Sequence, residues 1–419
     1  MKIPNKNKRK IINDPVHGFF KIPTDLIYDL LEHPVLQRLR RIKQLGLTDY
    51  VYPGACHSRF QHTIGALFLM VEVVEHLRNK NIEITGEEEE AVYIAILLHD
   101  IGHGPFSHAL EESLIRGINH EDISLLLMQK LNEEFNGALN CAIEIFQNKY
   151  KKQFLHQLVS SQLDMDRLDY LKRDSFYTGV TEGVIGTERI IKMLNVFDDQ
   201  LVVEAKGIYS IEKFLVARRI MYWQVYFHKT VIASENLLVN ILRRAKYLSR
   251  NGKQIFATAP LKFFLEADID KNIFLNQPFE VLNHFLSLDD SDIYVSAKEW
   301  LKSDDVLLSL LSNSLLNREL PTIMLKGEEF SDKEIHSLIK KTSEFYKISA
   351  EDAQYLVSTG EIKNNAYTSK FDTIKIQKKD GTICDIAEAS DVLNISYLYK
   401  TIKKYFVCYP KIVAYADNN

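Results

Sequence analysis

The chain has 419 residues, with 52 Lys and Arg against 56 Asp and Glu, and a formal net charge of −4. This length gives room for two or three structural units around a large hydrophobic core. The slightly acidic balance provides no general basic field, so nucleic acid is not an expected partner.

The N-terminus, the apolar stretches and the cysteines indicate the cellular compartment of the protein. The N-terminus is basic, but no apolar signal region follows it, and no stretch approaches the ~20 apolar residues of a membrane span. The four cysteines lack the C-x-x-C spacing of metal sites and are typical of reduced thiols. They are Cys56, Cys141, Cys384 and Cys408. We expect a cytoplasmic protein without membrane contact.

The first predicted elements are mostly helical. Thr24 is a predicted N-cap for a helix with apolar positions at residues 26–31, and Pro34 begins the next helix. Short β-ribbons are predicted at residues 16–22 and 201–205.

The longest predicted element covers residues 208–248, with room for a break. Beyond it, alternating segments flank a turn at residues 379–381, which predicts a β-hairpin. We therefore predict a mainly α fold, with a helical body over residues 1–250 and a smaller α+β region over residues 251–419.

An apolar helical run ends in the adjacent pair His99-Asp100. Imidazole and carboxylate groups are good ligands for a divalent metal, although an isolated pair of this kind is usually structural. Upstream, His62 lies in the predicted first turn of a helix. Downstream, Asp166, Asp169 and Asp174 recur at helical spacing among leucines, which predicts at least one partly enclosed carboxylate.

The order His62, His99-Asp100 and Asp166 resembles the H…HD…D pattern of the HD-domain metal-dependent phosphohydrolases. Segments at residues 12–18, 37–46 and 52–55 make the resemblance closer. They resemble the deoxynucleoside triphosphate (dNTP) triphosphohydrolases, a dGTPase-like branch that includes the vertebrate SAM-and-HD-domain dNTPase and bacterial relatives.

This resemblance implies one divalent metal ion, which could be Mg, Mn, Fe, Zn, Co or Ni. Its implied ligands are His62, His99, Asp100 and Asp166. Proton transfer is implied for His108 and His120, because an imidazole titrates near neutrality. Glu111 and Glu121 are the carboxylates available to orient a histidine.

The resemblance also implies a substrate site. Arg59 and Arg167 are adjacent to ligand segments, so a role on phosphates makes sense for them without the resemblance. Arg218 is assigned by resemblance alone. The full set of implied substrate-binding residues is Gln44, Leu45, Arg59, His103, Arg167, Tyr170, Asp174, Arg218 and Tyr226. Tyr170 is expected to stack against the sugar and exclude a 2′-hydroxyl.

A regulatory site for dGTP or GTP, coupled to formation of a homo-oligomer (a dimer or tetramer), is a further implication. The residues that match it are Lys10, Ile11, Asn13, Glu32, Gln37 and Arg40.

The sequence thus predicts hydrolysis of a dNTP to deoxynucleoside and triphosphate. The alternatives are an HD-domain monophosphatase or phosphodiesterase, and a nucleotide sensor without catalysis. The intact ligand set argues against the sensor. The sequence does not distinguish the metal or the preferred dNTP.

Overall fold

Most of the chain is helical, and the helices share one hydrophobic core. This computed structural model describes residues 10–364, Tyr367, 373–391 and 401–416. Strands β1 (Ile11–Asp14) and β2 (Gly18–Lys21) come first. The body helices are α1 (Asp25–Leu31), α2 (Pro34–Gln37), α3 (Arg59–Asn79), α4 (Gly86–Leu98), α5 (Glu111–Leu114), α6 (His120–Glu134), α7 (Asn140–Phe146), α8 (Gln153–Val159), α9 (Met165–Thr178), α10 (Thr187–Met193), α11 (Ile208–Met221) and α12 (Lys229–Arg250). The predicted mainly α fold is confirmed.

The centre of the body is α4, which packs against α3. Every α4 residue from Ala91 to Leu98 is buried, as expected for a helix that is apolar on all sides. Thr85 and Glu88 cap its start reciprocally, each side chain accepting the other's backbone N–H at 2.9 and 3.2 Å. The capped start and the buried end fix where the following His99-Asp100 pair emerges.

Two predicted helix boundaries are confirmed. Thr24 Oγ1 accepts the Ile27 N–H at 3.2 Å at the start of α1, and Pro34 begins α2. The long element also has the predicted break, because a π-helical turn (Tyr222–Tyr226) separates α11 from α12. A turn of this kind often marks a functional site.

Within the body, β3 (Leu194–Phe197) and β4 (Gln200–Glu204) form a hairpin. The chain after the body begins with five helices and continues with interspersed strands and helices. The following helices are α13 (Ala259–Glu266), α14 (Lys271–Asn276), α15 (Pro278–Leu286), α16 (Asp290–Trp300) and α17 (Val306–Leu316). After them come β5 (Thr322–Lys326), α18 (Asp332–Tyr346), α19 (Ala350–Ala353), β6 (Ser358–Asn364), β7 (Lys375–Gln377), β8 (Ile383–Asp385), α20 (Ile386–Ala389), β9 (Ile402–Tyr409) and α21 (Lys411–Ala416).

The strands connect the later part of the chain to the body. One sheet has the order β3-β4-β7-β8, with β4 parallel to β7 and the other pairs antiparallel. The second sheet has the antiparallel order β5-β9-β6. The hairpin predicted around residues 379–381 is confirmed as β7 and β8.

Helices α13 to α17 contribute to the same core as the body, whereas α18 and β9 contribute to a smaller cluster around Val407. The division at residue 250 stays a prediction. Within the described residues, no helix is long and apolar enough to cross a membrane.

Candidate active site

The four metal-ligand candidates meet where three helices pack together. His62 lies in the first turn of α3, His99 and Asp100 follow α4, and Asp166 lies in the first turn of α9. His62 Nε2 lies 3.1 Å from Asp166 Oδ1 and 3.8 Å from Asp100 Oδ2. His99 Nε2 lies 3.5 Å from Asp166 Oδ1 and 3.4 Å from Asp100 Oδ1. The fold therefore brings together all four residues that the sequence nominated.

These donor atoms have the spacing expected around one cation, because neighbouring ligands about 2.1 Å from an octahedral ion lie about 3 Å apart. Among the described residues, the buried His62 Nε2 and His99 Nε2 have no hydrogen-bond partner. Buried polar atoms without partners call for an explanation, and a shared cation provides one. Two imidazoles and two carboxylates fit a divalent metal ion.

The electrostatics of the cluster favour a positive charge. Burial lowers the pKa of His62, but the carboxylates of Asp166 and Asp169 outweigh it and raise this pKa to about 10. Burial likewise opposes the effect of Asp100 and Asp166 on His99, whose pKa rises to about 9. The same carboxylates that hold a proton on these rings would hold a metal cation in its place.

A second layer of hydrogen bonds orients both histidines. His62 Nδ1 donates to Asp169 Oδ2 at 2.8 Å, and His99 Nδ1 donates to the Ile96 carbonyl at 2.6 Å. A proton on Nδ1 leaves the Nε2 lone pair free for a cation. Burial works against ionisation of Asp169, but Arg173 keeps the pKa of Asp169 well below its usual range.

Gly65 makes room for this second layer. A Cβ at position 65 would lie 2.0 Å from Asp169 Oδ1 and 2.1 Å from Arg173 Nη2. The Asp169–Arg173 pair of α9 therefore rests directly on the backbone of α3, one turn beyond His62.

Two histidines of the predicted site, His103 of the substrate-binding set and His120 of the catalytic set, stack beside the predicted carboxylate Glu111. The His103 and His120 rings stack with centroids 3.8 Å apart. Glu111 Oε1 accepts the His120 backbone N–H at 2.6 Å and lies 3.1 Å from His120 Nδ1. Burial and the charge of Arg59 hold the pKa of His103 well below its usual range, so this ring is neutral near pH 7. Glu121 lies on the cavity wall.

The loop that follows His103 contains strained backbone. Phe106 and Ser107 both have φ of 54°, a left-handed conformation that residues with a side chain rarely adopt. The Phe106 N–H donates to Asp290 Oδ1 at 2.8 Å, and Arg59 Nε donates to Ser107 Oγ at 2.9 Å. His108 comes next, and its side chain lies outside the described part of the structure.

A cavity of about 520 Å³ opens over the ligand cluster. This size is in the range of small-molecule sites. The predicted site residues that line it are Gln44, Leu45, Arg59, His99, Asp100, His103, His120, Glu121, Asp166, Arg167, Tyr170, Asp174 and Tyr226.

Three arginines were nominated for phosphates, and the structure places them differently. Arg59 lines the cavity and pairs with Asp100 at 2.5 Å. Arg167 also lines it, and its Nε donates to the Ser161 carbonyl at 2.6 Å. Arg218 is buried near Tyr170, where its charge opposes the burial that raises the pKa of the Tyr170 phenol. It is not part of the described cavity lining.

The sugar-side candidates form a hydrogen-bonded wall. Asp174 accepts from Tyr226 Oη and from His57 Nε2, both at 2.8 Å. The Tyr170 ring lies nearly perpendicular to that of Tyr226, at 6.2 Å between centroids. In the described structure, Tyr170 Oη and Gln44 Oε1 are buried and have no hydrogen-bond partner.

Sequence reasoning missed several residues of the site. Glu235 of α12 lines the cavity, and burial raises its pKa to about 7. Tyr222 and Val231 line it as well. In the sequence, Asp169 is only one of three carboxylates at helical spacing, and its spacing of three from Asp166 is the signal that places both on one face of α9. Nothing in the apolar pattern of α12 marks Glu235.

The residues of the predicted regulatory site lie outside the described cavity lining. Gln37 Nε2 donates to the Leu31 carbonyl at 2.7 Å, and Arg40 Nε donates to Gln37 Oε1 at 2.8 Å. Lys10 Nζ lies 5.3 Å from the centre of the Tyr28 ring. Ile11 and Asn13 lie in β1, and Glu32 caps α1. Their regulatory role stays a prediction.

Comparisons with known proteins find two matching families, a similar solved structure and several relatives. The HD domain family matches residues 59–174, which include all four ligand candidates, and the HD associated region matches residues 185–255. A crystal structure of a phosphohydrolase from Bacteroides thetaiotaomicron is 55% identical, with a TM-score of 0.93. This match covers 96% of this chain and 99% of that one.

Two relatives extend the comparison. The uncharacterized protein YwfO of Bacillus subtilis is 33% identical, over 97% of this chain and 93% of its own length. The deoxynucleoside triphosphate triphosphohydrolase SAMHD1 homolog of Dictyostelium discoideum is 32% identical over 60% of this chain. This chain spans 52% of the Dictyostelium protein, about half of its length.

Proposed function

Since this chain belongs to the HD-domain phosphohydrolase family, we propose that it is a metal-dependent dNTP triphosphohydrolase. It would convert a dNTP to deoxynucleoside and triphosphate. The observation that carries the proposal is that one cavity joins the ligand cluster to the Tyr170, Tyr226 and Asp174 wall. The relative named as a deoxynucleoside triphosphate triphosphohydrolase supports the same substrate class.

The reaction adds water across one P–O bond. The hydroxide becomes bonded to the α-phosphorus, the bond from that phosphorus to O5′ breaks, and O5′ takes a proton. His62, His99, Asp100 and Asp166 would hold a divalent cation, which would supply a lowered pKa for a bound water and polarisation of a phosphate oxygen. Arg59 and Arg167 compensate the negative charge of the phosphates. His103, as a neutral ring, donates a hydrogen bond to a phosphate oxygen. His120, held by Glu111, is our candidate for moving the proton, with His108 as the second.

The wall of Tyr170, Tyr226 and Asp174 supports a deoxyribose as the sugar of the substrate. Each oxygen of Asp174 accepts one hydrogen bond from the protein, so each keeps a lone pair for the 3′-hydroxyl. Tyr170 would pack its ring against C2′ and leave no space for a hydroxyl there. Ribonucleotides should therefore be poor substrates.

Product analysis tests this function. Metal-loaded protein is incubated with each dNTP, with and without dGTP, and the products are separated by chromatography. We expect deoxynucleoside and triphosphate in equal amounts. Release of dNMP and pyrophosphate would contradict the proposed bond cleavage. Turnover should be lost in Asp166→Ala and kept in Asp332→Ala, which removes an exposed carboxylate far along the chain on α18. A wild-type protein that binds nucleotides but never turns over would favour the sensor.

We also propose activation by a guanine nucleotide at the set Lys10, Ile11, Asn13, Glu32, Gln37 and Arg40, coupled to a homo-oligomer. The hydrogen-bonded Gln37–Arg40 pair offers donors to a nucleotide. Activity and sedimentation are measured with and without dGTP or GTP. An unchanged rate together with an unchanged sedimentation coefficient would contradict this site.

A further inference from the structure

The turn of the N-terminal hairpin reaches the metal-ligand cluster through buried hydrogen bonds. His17 lies in the turn between β1 and β2, and its side chain is 1% exposed. His17 Nε2 donates to Asp169 Oδ1 at 2.7 Å. Asp169 Oδ2 in turn accepts from His62 Nδ1. A residue 45 positions before His62 thus belongs to the same chain of hydrogen bonds.

Asp169 has no freedom to adjust its position. Oδ1 accepts from His17 and from Arg173 Nη2 at 3.0 Å, and Oδ2 accepts from His62 and from Arg173 Nε at 2.9 Å. A carboxylate offers about four lone-pair sites, so all of them are used. Removal of the His17 donor leaves Oδ1 held by Arg173 Nη2 alone, at 3.0 Å, so the carboxylate is less firmly positioned against His62.

The hairpin itself is fixed by the same network. Asp14, the last residue of β1, accepts two hydrogen bonds from Arg173, at 2.9 and 3.2 Å. Its Oδ1 also accepts the backbone N–H groups of Val16 and His17, both at 2.9 Å. Phe68 of α3 stacks on the His17 ring with centroids 4.9 Å apart. The His17 imidazole is therefore held from its backbone and from its ring face.

We propose that the hairpin turn positions the metal ligand His62: His17, acting through Asp169, fixes the ring so that Nε2 faces the ion. His17 is a positioning residue, because Asp169 and His62 stand between it and the reacting atoms. This inference rests on the proposed metal site but not on the identity of the substrate.

The test measures metal affinity rather than turnover. Full-length apo protein is titrated with Mn²⁺, and free Mn²⁺ is followed by its electron paramagnetic resonance signal. Loss of a partner one step from a metal ligand typically weakens metal affinity about 10- to 100-fold. We expect that range for Asp169→Asn. His17 acts one hydrogen bond further away, so we expect the Kd to rise about 3- to 10-fold in His17→Leu.

Matched variants separate positioning from packing. His17→Gln keeps an N–H donor in place of Nε2 and should stay within about twofold of the wild-type Kd. His17→Phe keeps a ring against Phe68 but has no donor, so it should weaken binding as His17→Leu does. His17 and His76 line the same surface groove, but His76 bonds the Leu194 carbonyl and does not contact the Asp169 network. His76→Gln should therefore bind Mn²⁺ with the wild-type Kd. Saturating Mn²⁺ should restore kcat in the His17 variants.

Three outcomes would overturn the inference. The first is an unchanged Kd in His17→Leu or His17→Phe. The second is equal weakening in His17→Gln, which would indicate packing alone. The third is a wild-type chain that binds neither Mn²⁺ nor any of the other candidate divalent ions, which would also remove the proposed metal site. Should His17→Leu fail to fold, judged by circular dichroism, His17→Phe against His17→Gln still decides the question.

Discussion

Replacement of Gly65 by alanine tests whether the contact between α3 and α9 holds the site together. The new Cβ would lie 2.0 Å from Asp169 Oδ1 and 2.1 Å from Arg173 Nη2, where ordinary contact begins near 3.4 Å. One helix must therefore shift by roughly 1 Å or more, or the ion pair must leave its place. Both Asp169 and Arg173 have no exposed side-chain surface.

The expected loss of stability in Gly65→Ala follows from the burial of the Asp169–Arg173 ion pair. Breaking a buried ion pair costs about 3 to 5 kcal/mol, because each charge loses its partner without regaining water. Alanine has a better helix propensity than glycine, which stabilises the folded state by about 1 kcal/mol. We expect a net loss of about 2 to 4 kcal/mol in the free energy of unfolding, together with weaker Mn²⁺ binding because His62 loses its partner.

Urea unfolding followed by circular dichroism measures this loss. The matched control is Gly86→Ala in the first turn of α4, where an added Cβ meets nothing within 4 Å. This control should change stability by no more than about 1 kcal/mol, in the stabilising direction. A Gly65→Ala protein within 1 kcal/mol of wild type, with unchanged Mn²⁺ affinity, would refute the close-contact reasoning.

Three further predictions address the substrate cavity and its supports. Tyr226→Phe removes a donor to Asp174 and should lower kcat/KM for a dNTP by about fivefold to tenfold in steady-state kinetics, since the bond is worth about 1 to 1.5 kcal/mol. Burial raises the pKa of Glu235 to about 7, so above pH 7 its negative charge should repel a triphosphate and raise KM. A pH series of KM should show this rise in the wild type and not in Glu235→Gln. Burial raises the pKa of Asp290 from 3.8 to about 6, so the folded state holds this proton more tightly than the unfolded chain does. Its contribution to stability should therefore decrease as the pH rises from about 4 to 6, and urea unfolding of Asp290→Asn should lack that decrease.

The elements that could be predicted from the sequence depend on local chemistry. Thr24 caps α1 because its hydroxyl reaches a backbone N–H three residues ahead. The turn at residues 379–381 joins two strands for a similarly local reason. The positions of His62 and His99 relative to their helices also follow from helical periodicity.

The second layer around the ligands could not be predicted in this way. Asp169 reads as one member of an acidic stripe, and only the packing of α9 on α3 reveals that it is fully buried. The sequence indicates only that Glu111 can orient a histidine, and its contact with His120 depends on where the chain between them turns. Gly65 gives no local signal, because its role lies entirely in what another helix places against it.

Two loops beside the cavity, which contain Lys43 and Phe106, are supported by helix α16. This helix lies beyond residues 59–174 and 185–255, the ranges that match the HD families. Asp290, at the start of α16, accepts the backbone N–H groups of Lys43 and Phe106 at 2.9 and 2.8 Å. Lys43 directly precedes Gln44 of the cavity, and Phe106 carries the strained backbone before His108. A left-handed conformation at such a residue costs about 1 to 3 kcal/mol and needs surrounding contacts to persist. A chain ending at residue 250 would lack these two bonds. We therefore expect it to lose the shape of the cavity even where all four metal ligands remain.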